Sequence, residues 1–312
     1  MSFSWRVFAL PALLLSWHAA SAENEFEELP VADGVMLIDW RGDYSAVQQE
    51  RLRTWLEVVG TTVTLLHGRL PRGKIRIELT AYPFAGEAVP FAQVKRRNPQ
   101  GVEFFINPAE TLDAFVTDWT AYHELSHLFI PYPGRADVWF SEGLASYYQN
   151  VLQYRGGLLT EQQAWQKLFN GFMRGRDDDR HDDMTLAELT PRMREERAFM
   201  RVYWSGALYF LEADLAVRAH SGGKTRLDTI LSNYGECCLG QQRRWTGRQI
   251  AQEFDRLADA SIFVPLYDRF EAASAIPEFL PAMAAAGVTV DDDTVRIDRP
   301  GFLQSAETRV NP

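Results

Sequence analysis

His123-Glu124-Leu125-Ser126-His127, followed after Pro131 and Pro133 by Trp139-Phe140-Ser141-Glu142-Gly143-Leu144-Ala145-Ser146-Tyr147-Tyr148, is the stretch that decides how the chain folds. Helical residues four apart stack on one face, so the two imidazoles can converge on one metal ion. Glu124 sits beside the first of them, where its carboxylate can reach a metal-activated water without coordinating the metal. The pattern H-E-x-x-H is a zinc-peptidase signature for that reason. A catalytic zinc takes three protein ligands and leaves a fourth position open. The prolines forbid continuation of the first helix, and a second helix at about 138–154 can fold back antiparallel to it, bringing Glu142 to the metal. Glu142 is embedded among aromatic and small residues, where a charge is costly unless paired or ligated. His123, His127 and Glu142 are therefore the candidate ligands of one Zn2+ per chain, and Glu124 is the candidate general base.

Upstream of this stretch the pattern is mixed. Val35 to Trp40 reads as a strand and Ser45 to His67 as an amphipathic helix. Lys74 to Thr80 alternates polar and apolar as a half-buried strand does, and Val102 to Ile106 is another short strand. From Asn107 onward the chain reads as helical. Asn107-Pro108-Ala109-Glu110 predicts the start of one helix running to Ile130. Thr160 to Gln163 predicts a capping box opening the next helix after 138–154, and a long helix is expected at about 196–219. Shorter helices follow near 225–234, 247–258, 263–271 and 277–286, with a hairpin-like tail at 288–298. The expected organisation is a leader at 1–22, an αβ subdomain at 23–106, a helical subdomain at 107–288 and a tail or hairpin at 289–312.

Composition narrows the function. Hydrophobics are 46% and aromatics 12% of 312 residues, which excludes a disordered or low-complexity chain. Lys and Arg number 32 against 42 Asp and Glu, a net charge of −10, which argues against a nucleic-acid-binding surface. Arg6, the apolar run Val7 to Trp17 and Ala20-Ser21-Ala22 read as a secretory signal peptide. The run is short for a bilayer span, so a periplasmic or secreted protein without an integral membrane segment is expected. Two cysteines, Cys237 and Cys238, are too few for a disulfide framework. A vicinal disulfide is strained, so both read as structural thiols. The acidic run Asp177 to Asp183 and the basic run Lys95-Arg96-Arg97 read as solvated loops, and His67 and His220 as helix-end residues where a cation is favoured.

With these motifs in view, the chain resembles the gluzincin metallopeptidases, with its nearest likeness to the catalytic domain of the glycyl aminopeptidase family. The resemblance rests on HELSH at 123–127, on WFSEGLASYY at 139–148 with RGGLLTEQQ at 155–163, and on YWSGALYFLEADLAVR at 203–218 continuing into SGGKTRLDTIL at 221–231. It implies an α+β, thermolysin-like catalytic domain: a small mixed αβ N-terminal subdomain, a mainly helical C-terminal subdomain, and the zinc cleft between them. It also implies that Tyr203 donates a hydrogen bond to the oxyanion. Three departures accompany it. The link from His127 to Glu142 is shorter than in many gluzincins. Ser146 stands where several carry an acid that orients the first histidine, so another group must serve. No stretch like Gly-x-Met-Glu-Asn is present to hold a substrate's free amine, and Glu103, in Gly101-Val102-Glu103-Phe104-Phe105, is a weak candidate on an expected edge strand.

The function expected is zinc-dependent hydrolysis of peptide bonds in a peptide or protein substrate, by a metal-activated water with Glu124 as base and Tyr203 as oxyanion donor. Aminopeptidase and endopeptidase action both stay open. The alternative is a catalytically inactive zinc-binding protein serving as an adaptor in the cell envelope. Hydrolysis of a non-peptide amide or ester would use the same residues.

Overall fold

The structure, a computed structural model, describes residues 26–83 and 86–304. The expected leader at 1–22 and the last part of the tail lie outside the described residues. The N-terminal part is a five-stranded mixed sheet with one long helix on its inner face. Its strands are β1 (Glu27–Val31), β2 (Gly34–Arg41), β3 (Lys74–Ala81), β4 (Phe91–Lys95) and β5 (Gly101–Ile106), in the spatial order β1-β2-β3-β5-β4. β2, β3 and β5 run parallel, and β1 and β4 close the two sides antiparallel. Parallel neighbours need a crossover. Helix α1 (Ala46–Thr64), opened by a Ser45–Gln48 capping box, supplies the one between β2 and β3. Alternation along β3 sends Ile75, Ile77 and Leu79 inward against Leu52, Trp55, Leu56 and Val59 of α1. The opposite face carries Asp39, Glu78 and Glu103 in direct register across β2, β3 and β5. Like charges so opposed destabilise a sheet. Here Arg41, Arg76, Lys95 and Arg97 pair with them, including Arg41–Glu78 at 2.7 Å and Lys95–Glu103 at 2.6 Å.

Where a single helix was expected from Asn107 to Ile130, there are two. The Asn107 side chain accepts from the Ala109 N–H at 3.2 Å, so the apparent start signal makes a turn. Helix α2 (Leu112–Thr117) is capped by Thr111 and ends at Asp118. The Asp118 carboxylate accepts from the Thr120 N–H at 2.7 Å, at the head of α3 (Thr120–Ser126), which tightens into a 3-10 turn at His127–Phe129. Gly134, at φ +95°, then allows the reversal into a second 3-10 turn, Arg135–Asp137. The helices that follow are α4 (Val138–Arg155), α5 (Glu161–Asp177, with the expected Thr160 capping box), α6 (Leu186–Leu189), α7 (Met193–Glu196) and α8 (Phe199–His220). Arg197, in the left-handed region at φ 56°, separates α7 from α8, so the long helix starts later than its periodicity suggested. After these come α9 (Leu227–Cys237), α10 (Gly247–Ala258), α11 (Phe263–Glu271), α12 (Leu280–Ala285) and a hairpin of β6 (Val288–Asp291) with β7 (Thr294–Ile297).

Two features lock the helical part. A Cβ on Gly143 of α4 would lie 2.2 Å from the Gly206 carbonyl carbon of α8, and one on Gly206 would lie 2.3 Å from the Trp139 carbonyl oxygen. Only glycine lets the backbones cross this closely. Behind the crossing, Arg155 pairs with Asp228 at 2.8 Å and Arg218 with Asp214 at 2.8 Å, while Tyr148 and Tyr147 donate to the same two carboxylates. That network ties α4, α8 and α9 together.

Four expectations are corrected. β5 is interior and β4 is the edge. Glu103, 7% exposed, faces the ionic side of the sheet rather than a cleft. Lys95-Arg96-Arg97 is no solvated loop, since Lys95 ends β4 and Arg97 pairs with Glu78. Cys237 and Cys238 are joined in a vicinal disulfide, not held as thiols. The His67 ring, packed edge-on against Phe129, is pushed down to about 4 by burial and is neutral rather than cationic. The acidic run is also more fixed than a free loop: the buried Arg201 guanidinium pairs with Asp182 at 2.9 Å.

Candidate active site

His123 and His127 project from α3 and its terminal turn with ring centroids 4.9 Å apart, and both are buried. The local reason is the four-residue spacing: α3 ends at Ser126, yet His127 keeps helical backbone angles (φ −59°, ψ −21°), so the second ring stays on the face of the first. The tight turns at 127–137 bring α4 back against α3. Glu142, on the second turn of α4, places Oε2 3.3 Å from His123 Nε2 and 3.4 Å from His127 Nε2. One donor atom from each of the three lies within 4.8 Å of the others. The far nitrogens are held. His123 Nδ1 lies 2.8 Å from Gln149 Oε1, and His127 Nδ1 lies 2.9 Å from Ser141 Oγ. An amide oxygen accepts and cannot donate, so His123 carries a proton on Nδ1 and directs Nε2 toward Glu142. Orientation of a metal histidine through its outer nitrogen is the usual arrangement. Two imidazole lone pairs and one carboxylate, buried and pointed at a common centre, fit a zinc ion's donor set.

The remaining two sequence candidates lie around this cluster. Glu124 lines the cleft beside it and coordinates with none of the trio. Tyr203, on the second turn of α8, stacks 5.9 Å from the His123 ring at 17°. Thus all five residues read from the sequence meet in one place. Burial acts first on Glu124, Tyr203 and Glu142. It raises Glu124 above the usual carboxylate range, partly countered by the two histidines. It also raises the Tyr203 phenol, which the charges of Glu142 and Glu124 lift further, so the phenol stays protonated and remains a donor. Burial would raise Glu142 too, but the charge and hydrogen bonds of His127 and His123 override it and hold Glu142 well below the usual range.

Two cavities flank the cluster and share Tyr203. The larger, about 800 Å³, runs along edge strand β4 and contains Glu124, His127 and Glu142. The smaller, about 490 Å³, lies between the start of α3, α4, α5 and α8 and touches His123. Phe91, Ala92, Gln93 and Val94 of β4 all border the larger cavity, with Ala92 and Val94 on the side opposite the ionic face that Gln93 and Lys95 share with Glu103. Sequence reading missed β4, Gln149, Ser141 and Arg96. Ser141 adjoins Glu142, and Gln149 follows it by seven residues, two helical turns on the same face, so helical spacing was the available signal. Arg96 donates to the carbonyls of His127 (3.1 Å) and Ile130 (3.3 Å), buttressing the turn after α3. Among the described residues, the acidic run with His181 brings together no metal-ligating cluster.

Residues 133–208 match the family model for the M61 glycyl aminopeptidase, a stretch that includes Glu142 and Tyr203 and begins after the HELSH motif. Among solved structures, the chain is similar to an aminopeptidase N family protein from Idiomarina loihiensis, with a TM-score of 0.63 and 16% identity over 85% of this chain and 49% of that one. It is also similar to an M1 zinc metallopeptidase from Deinococcus radiodurans, with a TM-score of 0.50 and 15% identity over 81% of this chain and 52% of that one. A mutant of the latter enzyme bound to a Tyr-Ser-Ala substrate gives the same score and coverage. At such identities the likeness is one of fold, and this chain spans about half the length of those structures. No curated protein matches it. The fold is α+β and similar to that of the M1 metallopeptidase structures, with a sheet-containing part, a helical part and the cleft between them. The resemblance to the gluzincin metallopeptidases read from the sequence is borne out, and over residues 133–208 it extends to the glycyl aminopeptidases.

Proposed function

We propose that the protein is a zinc-dependent peptidase, and the observation that carries this reading is the convergence of His123, His127 and Glu142 beside Glu124 and Tyr203. His123 and His127 would hold the metal through Nε2 and Glu142 through Oε2. Zinc, when bound, supplies Lewis-acid polarisation of the scissile carbonyl and acidifies a water. Glu124, whose burial favours proton uptake, accepts a proton on its carboxylate from the attacking water and returns it to the leaving amine. Tyr203 donates its phenolic hydrogen to the oxygen that becomes negative at the tetrahedral stage. Gln149 and Ser141 keep the two rings in position. The peptide lies along β4, whose free edge offers main-chain hydrogen bonds to an extended segment. The β4 residues that border the cleft, Phe91, Ala92, Gln93 and Val94, give a free amine no carboxylate, which favours cleavage within a chain over aminopeptidase action. We place the mature protein in the periplasm or outside the cell, on the reading of residues 1–22.

The test is digestion of a mixed peptide library by the zinc-loaded protein, with cut sites mapped. Chelator-sensitive cleavage is expected, and it should disappear in Glu124→Gln while the zinc content stays the same. An uncut library with one zinc bound per chain would instead establish the binding-protein reading.

A further inference from the structure

Both cavities that flank the metal-binding cluster have a charge character that hydrolysis does not require. The chain carries a net charge of −10, yet the cleft is cationic. In the larger cavity, Arg96, Arg135 and Arg194 accompany Glu124 and Glu142, and no other carboxylate lines it. In the smaller cavity, Lys167 and Arg174 stand among Trp119, Trp204 and polar amides, with no carboxylate at all. Among the described residues none of these five cations forms an ion pair. Arg96 and Arg135 donate to main-chain carbonyls and Arg174 lies over the Trp204 ring at 5.1 Å. Asp118 feels the charge of Lys167, but it is occupied at the head of α3.

Outside the cleft many arginines are matched. Arg41, Arg155, Arg218 and Arg248 each meet a carboxylate within 3.0 Å. Inside it, Arg96 and Lys167 are half-buried and Arg135, Arg174 and Arg194 are exposed, and all five lack a carboxylate partner among the described residues. Cations alone in the smaller cavity, and in excess in the larger, bias the field of a low-dielectric cleft toward anionic groups that enter it. Arginine and lysine left without partners there are free to form charge-assisted hydrogen bonds with a ligand's carboxylates. Arg96 has three of its five N–H donors engaged, with Gln100, Ile130 and His127, leaving two.

We propose that the substrate is a peptide bearing carboxylates on both sides of the bond to be cut, with Asp or Glu side chains seated on Arg135 and Arg194 in the larger cavity and on Lys167 and Arg174 in the smaller. This rests on the peptidase reading and specifies its substrate class. The same chemistry is offered by a chain's terminal carboxylate, so the test separates the two sources.

Fluorescently labelled peptides of one scaffold, with Glu, Gln or Lys flanking the central bond and a free or amidated C-terminus, are bound to the zinc-loaded Glu124→Gln protein and followed by anisotropy. The same peptides are then offered to the zinc-loaded wild type for cleavage. Each Glu replaced by Gln should weaken binding about tenfold, Lys should weaken it further, and added salt should erode the difference. The variants Arg194→Glu and Lys167→Glu should shift preference toward the Lys peptides while zinc content stays constant. Binding and cleavage indifferent to side-chain charge would overturn the proposal and leave the peptidase reading intact. A preference that follows only the free C-terminus would overturn the side-chain assignment. Charge-selective binding without cleavage of any peptide by the wild type would overturn the peptidase reading and retain the anionic ligand.

Discussion

The His123 ring leans on an amide, not on a carboxylate. Gln149 orients Nδ1 without adding negative charge to the site, and Ser141 does the same for His127. Loss of such a partner costs a metal site roughly 10–100-fold in affinity, so Gln149→Ala should weaken zinc binding by about that factor in competition with a chelating dye. Unchanged affinity would remove Gln149 from the site. Tyr203→Phe should lower kcat by about 10²–10³ with zinc retained, and full activity would exclude the phenol as oxyanion donor. His67 gives a prediction away from the site. Its folded pKa, about 4, lies below the unfolded value of about 6.5, so the unfolded chain binds the proton first. Its contribution is fully present above pH 6.5 and is lost as pH falls toward 4, up to about 3 kcal/mol. Urea titrations should show a shallower acid loss in His67→Phe across that window; an identical slope would contradict the assignment. The histidine pair was legible because its spacing is local, and Glu142 because an acid among aromatic residues needs a partner. Gln149 carried only its spacing from Glu142 on one helix face: a neutral amide does not announce its partner until the fold brings it to 2.8 Å from a ring nitrogen.

Among the elements, the α4–α8 crossing holds the site together, since α4 carries Glu142 and α8 carries Tyr203. Gly143 and Gly206 meet backbone to backbone there. A methyl group at Gly206 must push the helices apart, because no flexible side chain can move aside. Gly206→Ala should cost about 1–3 kcal/mol, seen as a lower urea midpoint, and should weaken zinc binding along with stability. A variant with the wild-type midpoint would show that the crossing has slack. Helices α4, α5, α10 and α11 were readable from caps and periodicity, since those signals lie within each segment. The two-helix break at Asp118 was not, because it depends on a side-chain cap inside an otherwise apolar run. β4 escaped for another reason. It is short, ends in Lys95 before two further basic residues, and becomes a strand by pairing with β5.

At the scale of the whole molecule, the sheet and the helical part are two halves of one cleft. α3 leaves the end of the sheet-containing part, α4 turns back on it, and α8 closes the opposite wall. The change from mixed αβ patterning to helical patterning was plain in the sequence. Which strand forms the edge was not, since strand order is set by long-range pairing. Nor was the cationic lining of the cleft in a net acidic chain, which arises from residues on α5 and α7, just after β4, and in the 3-10 turn before α4. Every functional statement depends on His123, His127 and Glu142 sharing one zinc ion. The direct measurement is metal content of the purified protein, wild type against Glu142→Ala, after equilibration with zinc and removal of the excess. One zinc per wild-type chain and none retained by Glu142→Ala is the predicted result; a full equivalent in Glu142→Ala would contradict the account.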